Sequence, residues 1–190
     1  MLSEFRAWAL MTVCAAAAGP AAAAIDASAP DGSTIKIDVR HGKVVGEIVA
    51  TQARPLQIDS KVTRLIVGSE AFFAVGKVAV AADGKTWLLV VTQTPSRENH
   101  AAGACGSGTE DALHLMQVDA SHRKLILRST IPLQSCLTGL SLNDDSGQPL
   151  QQKLESVSDP RKFELQWLNH PKYGNVTRTL TILDGEERVQ

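Results

Sequence analysis

Residues 101–136 read AAGACGSGTEDALHLMQVDASHRKLILRSTIPLQSC, and two cysteines bracket the part that decides the fold. Ala112 to Val118 and Arg123 to Ile131 are strand-forming runs separated by the polar break Asp119 to His122. Runs of that length around a short break specify an antiparallel hairpin. Once those strands pair, the loop before the first and the segment after the second leave the sheet at the same end. Cys105 and Cys136 then meet without distortion of the backbone, so a disulfide between them is expected. Closing a loop of about 30 residues contributes roughly 3–4 kcal/mol in the chain-entropy picture.

A disulfide needs an oxidising compartment, and the N-terminus agrees. Arg6 precedes the apolar run Ala7 to Ala18, Gly19-Pro20 breaks it, and Ala21 to Ala24 supplies small residues for a signal peptidase. Residues 1–24 therefore read as a secretory signal peptide, too short in its apolar part to span a bilayer. Cys14 would leave with it, so Cys105 and Cys136 remain as an even pair in residues 25–190, expected to be a single all-β domain. The expected location is periplasmic or secreted, with no integral membrane segment after cleavage.

Away from the hairpin the same period of two recurs. Ile35, Ile37 and Val39 alternate with Lys36, Asp38 and Arg40, and His41-Gly42-Lys43 turns the chain into a second strand over Val44 to Ala50. Ala71 to Ala81 and Thr86 to Gln93 form two strong apolar runs joined through Asp83-Gly84, apolar enough for central strands covered on both faces. Phe163, Leu165 and Trp167 alternate further on, and Asn175 to Leu183 closes the pattern before a charged tail from Asp184. Ile25 to Ser33 reads as a loose lead-in, Leu137 to Leu142 as a short strand, and Leu150 to Val157 fits a helix or a strand. Aromatic residues make up only 4%, so the core rests on Val, Ile, Leu and Ala. Few segments hold a helical period. The expected fold is an all-β antiparallel meander forming a sandwich or barrel-like domain with one disulfide.

The chemistry is sparse. A net charge of −1 gives no basic excess for phosphates, so nucleic acid is not an expected partner. Gly103, Gly106 and Gly108 lack the following Lys and helix of a phosphate loop. They serve a tight turn beside the disulfide, in a long polar segment from Thr94 to Asp111 that is a candidate recognition surface. Ser107 is not in a Gly-x-Ser-x-Gly elbow. His41, His100, His114, His122 and His170 are scattered without ligand spacing, and Asn143 to Gly147 lacks the alternate acids of a calcium loop. No cofactor and no metal are expected. His114, between Leu113 and Leu115, reads as a hydrogen-bonded strand residue.

Signal peptide, β scaffold, stapled loop and missing catalytic constellation together suggest an exported domain that binds another protein. An inhibitor or immunity protein against an envelope-targeting enzyme is the concrete form, with Glu98, His100, Ser107, Glu110 and Asp111 as contacts and Tyr173 as an aromatic anchor on a turn. The alternatives are a hydrolase acting on an envelope polymer, needing two carboxylates in a cleft or Ser107 beside a histidine, and an accessory domain of an envelope assembly.

Overall fold

The computed structural model describes residues 24–81, 84–96, 105, 108–119, 123–143, 148–172, 174–183 and 186–189. The strand-rich expectation is met. The elements run β1 (Ala24–Ser28), β2 (Thr34–Arg40), β3 (Lys43–Val49), β4 (Ala53–Ile58), α1 (Ser60–Gly68), β5 (Ala71–Ala74), β6 (Ala79–Val80), β7 (Thr86–Pro95), β8 (Thr109–Asp119), β9 (Lys124–Ser135), β10 (Ser141–Leu142), α2 (Leu150–Glu155), β11 (Lys162–Asn169), β12 (Val176–Leu183) and β13 (Glu186–Val189).

Nine strands form one sheet in the order β1-β2-β3-β4-β9-β8-β7-β5, with β6 also paired to β7. The sheet curls into a nearly closed barrel: β1 lies against β5, and the Val78 N–H donates to the Ser28 carbonyl at 3.0 Å. All its pairings are antiparallel except the short one between β4 and β9, where Gln57 and Ile58 align with Lys124 and Leu125. A parallel pairing needs a crossover, and here the long excursion from β5 through β8 separates the two strands in sequence. A second sheet, β10-β11-β12-β13, packs outside.

The alternation along β7 produces this two-layered body. Leu88 and Val90 point into the barrel with Ile25, Ile35, Ile37, Leu56, Phe72, Met116 and Leu125. Trp87, Leu89 and Val91 point out and meet Leu133, Phe163, Leu165, Trp167 and Leu180. Both faces of this strand are covered, as its apolar run implies. The Trp167 indole N–H donates to the Leu133 carbonyl at 3.1 Å and so ties the outer sheet to β9.

The sequence reading missed helix α1. Its nine residues carry too few turns for a sustained period, although Val62 and Ile66 stand four apart. Asp59 caps it, accepting from the Lys61 N–H at 2.8 Å. The Val62 and Ile66 side chains are fully buried in the barrel. Burying two such residues is worth roughly 3 kcal/mol or more against about 1 kcal/mol for a cap, so packing holds the helix.

Other differences are local. The lead-in forms β1, because Ile25 and Ala27 find buried places beside β2. The turn at His41-Gly42 does form, with φ of 53° and 73°. The first arm of the Asp83-Gly84 hairpin breaks between β5 and β6. Leu150 to Glu155 is helical, the short strand after Cys136 is reduced to Ser141–Leu142, and part of the charged tail pairs as β13. No helix among the described residues is long and apolar enough to cross a membrane.

Gly76 marks the break between β5 and β6. Its φ is +56°, its N–H donates to Leu154 O at 3.1 Å, and a Cβ there would stand 2.2 Å from Val157 O. Gly76→Ala is expected to lower the unfolding free energy by about 2 kcal/mol or more. Gly68→Ala, where no neighbouring atom lies within 4 Å, should be neutral or stabilising by up to about 1 kcal/mol. Urea midpoints of the two variants check the contrast, and equal midpoints would contradict it.

Candidate functional site

The barrel end that carries the cysteines is built from β7, β8 and β9. Pro95 pairs with Thr109, Glu110 with Ser135, and Asp111 lies between Gln93 and Gln134. This register brings Cys105 and Cys136 to a Cα–Cα distance of 5.6 Å and joins them in the expected disulfide. The Ser96 N–H donates to Gly108 O at 2.9 Å, and the Gly108 N–H donates to Cys105 O at 2.5 Å. A Cβ on Gly108 would lie 2.8 Å from Cys136 Cβ and 3.0 Å from its Sγ. One of the cluster's glycines is thus required by the close approach of the bridge.

Glu110 and Asp111 stand inside β8, because β7 reaches Pro95 and β8 begins at Thr109; the polar loop is shorter than the sequence suggests. Glu110 Oε1 accepts from Ser96 Oγ at 2.5 Å and from the Leu137 N–H at 3.2 Å. Burial opposes its ionisation, but hydrogen bonds from Ser135, Ser96 and the backbone of Leu137 and Cys136 outweigh that and hold the carboxyl below the usual glutamate range. It is a brace for the cross-linked turn and a poor proton donor near neutral pH.

Asp111 is 1% exposed. Its Oδ2 accepts from Gln93 Nε2 at 2.9 Å and Gln134 Nε2 at 2.7 Å, while Oδ1 is buried without a hydrogen-bond partner. Sequence reasoning could not separate these two adjacent acids. Neighbours on a strand face opposite ways, and the partners come from strands distant in sequence.

His114 is buried between two hydroxyls, with Nε2 2.7 Å from Thr92 Oγ1 and Nδ1 2.9 Å from Thr130 Oγ1. A neutral imidazole has one donor and one acceptor nitrogen, so one threonine accepts and the other donates. Burial pushes its pKa down from 6.5 to about 4. It is the hydrogen-bonded strand residue that the sequence implied.

An open cavity of about 630 Å³ adjoins these groups, reaching from Leu65 of α1 across Thr92, His114 and Thr130 to Asp111, Gln134, Leu140 and His170. It lies where β9 continues past its short contact with β4. A larger depression of about 730 Å³ is lined by Ser28, Lys77, Ser158, Asp159 and Arg161, with Arg161 paired to Asp159 at 2.9 Å. No cluster of three or more metal-ligating side chains occurs among the described residues. Glu98, His100, Ser107 and Tyr173 lie outside the described residues. The chain matches no family model and no curated protein.

Two acid-linked losses of stability should separate by pH. The depressed His114 pKa means that the unfolded chain binds more protons between pH 6.5 and 4. Stability therefore falls as pH drops through that window, by roughly 3 kcal/mol in total. The lowered Glu110 pKa adds a second fall as pH drops below the usual glutamate range, because its stabilisation is present above the unfolded pKa. In urea titrations from pH 7 to 3, His114→Gln should flatten the upper window and Glu110→Gln the lower one. Unchanged profiles would contradict both assignments.

Proposed function

We propose that this chain is an exported, periplasmic domain that binds another protein through its disulfide-tied end, in the form of an inhibitor or immunity protein against an envelope-targeting enzyme. The observation that carries the reading is the rigid base of that end. The disulfide, the Ser96–Gly108 hydrogen bond and the Glu110 carboxylate fix both ends of the 97–107 segment. A segment anchored in this way loses less conformational entropy on association, which favours recognition. Glu98, His100, Ser107 and Tyr173 are the proposed contacts, and Glu110 and Asp111 stand in β8, the strand that follows the 97–107 segment. Export rests on the signal-like residues 1–24 and on the disulfide, which persists in oxidising compartments.

The chemistry of the described groups favours binding over hydrolysis. Glu110 is held ionised by its hydrogen bonds, and both ring nitrogens of His114 are engaged by threonines. Neither is poised for proton transfer near neutral pH.

The immobilised oxidised protein should capture one stoichiometric enzyme partner from its own cell-envelope extract. That capture should be lost with a Cys105→Ser, Cys136→Ser protein that remains folded by circular dichroism. Absence of a partner, or capture indifferent to the disulfide, would sink this reading.

A further inference from the structure

We propose that the barrel mouth opposite the disulfide is a binding site for the hydrocarbon chain of a small amphiphile whose head group is not anionic, such as a long-chain alcohol. The inference goes beyond the protein-binding reading and does not rest on it. Three observations point to this occupant.

The first is position. A cavity of about 340 Å³ opens between two facing walls of the barrel. Ile35 of β2 pairs with Ile48 of β3 in one wall, and Val118 of β8 pairs with Thr86 of β7 in the other, with Val80 of β6 next to Thr86. Thr86 opens β7, and Pro95 closes it at the disulfide end. Ile35 and Val118 belong to the barrel core at 2% and 5% exposure, and Ile48 packs against the same cluster. The floor of the cavity is therefore the closed apolar core, and the strands carry that core outward as a lining. Barrel mouths of this kind are favoured places for small apolar ligands.

The second is the wall that completes the cup. Ala29 and Pro30, in the turn between β1 and β2, line the cavity. The Ala29 N–H donates to Ser33 O at 2.7 Å, and the Gly32 N–H donates to Ala29 O at 3.0 Å. Asp31 Oδ1 accepts from the Ser33 N–H at 2.9 Å and from Ser33 Oγ at 2.6 Å. The turn is thus held by its own hydrogen bonds, and a wall ordered in advance costs less entropy when a ligand arrives.

The third is the polarity of the rim. The hydrogen bonds from the Ser33 side chain and backbone hold the Asp31 carboxyl below the usual aspartate range, so the rim carries a negative charge near neutral pH. No Lys or Arg lines the cavity among the described residues. An anionic head group meets repulsion there, whereas a hydroxyl head stays in water beside Thr86. The chain itself moves from water onto isoleucine and valine side chains and gains with each methylene. At about 30 Å³ per group the cavity takes a chain of roughly ten carbons. A single aliphatic side chain of a partner protein would leave most of it empty.

The test is a titration of the purified oxidised protein with 1-decanol, followed through side-chain methyl signals, with 1-octanol and sodium decanoate as comparisons. 1-Decanol should give saturable shifts at the Ile35, Ile48, Val80 and Val118 methyls. 1-Octanol should bind about tenfold more weakly. Decanoate should also bind more weakly than 1-decanol, and added salt should narrow that gap. Ile48→Trp, at a half-buried position on the rim, should abolish saturation by filling the cavity. Val80→Phe, also half-buried, covers the case in which Ile48→Trp fails to fold. The absence of saturable shifts, equal affinity for the two alcohols, decanoate binding as tightly as 1-decanol, or unchanged affinity in a folded cavity-filling variant would overturn the proposal.

Discussion

The structure depends on the burial of both faces of β7 and β8. A strand covered on one side alternates apolar and polar residues, whereas Trp87 to Val91 is apolar throughout and is buried throughout. Two consequences follow. The inward residues need a closed environment, and the sheet provides it by curling until β1 meets β5 and by admitting α1 as a plug. The outward residues need a second cover, and β11 and β12 provide it through Trp167, Phe163 and Leu180. Neither layer could be removed without exposing one half of the same two strands to water.

The tied end solves a different problem. Here β7 and β8 separate around a polar connection, and β9 ends in an exposed turn at Cys136 to Gly139. Apolar packing has little to grip at such a place. The chain substitutes a covalent bond, a glycine that lets the bridge approach the backbone, and a carboxylate that gathers donors from Ser96 and Leu137. Glu110 accepts from the Leu137 N–H, the residue next to Cys136, so it and the disulfide act on the same turn. This arrangement orders the end without making it apolar.

Much of this was legible in the sequence, and the limits have physical causes. The bridge followed from a hairpin of adequate length between Cys105 and Cys136, because antiparallel pairing alone decides which ends come together. The two-faced strands followed from unbroken apolarity at Trp87 to Val91. Helix α1 did not, because a nine-residue helix shows its period only through Val62 and Ile66. Its real signal was the cap residue Asp59 placed before them. β1 escaped because Ile25 and Ala27 are too few to establish alternation. The parallel β4–β9 contact and the outer position of the second sheet are tertiary choices that no local pattern encodes. At the candidate site, the acids at 110 and 111 were visible as residue types. Their division into a braced carboxylate and a half-satisfied one was not, since the dividing partners come from β7 and β9.

The buried polar groups of this end fall into two kinds. His114 is satisfied on both nitrogens by Thr92 and Thr130, and Glu110 by hydroxyls and backbone amides. Such closed sets specify the fold. Asp111 is the exception, with one oxygen held by two glutamines and the other held by nothing. Asp111 shares its side of β8 with Leu113 and Leu115 of the outer layer, whereas His114 shares its side with Met116 and Val118 of the barrel interior, so the two kinds sit on opposite faces of one strand.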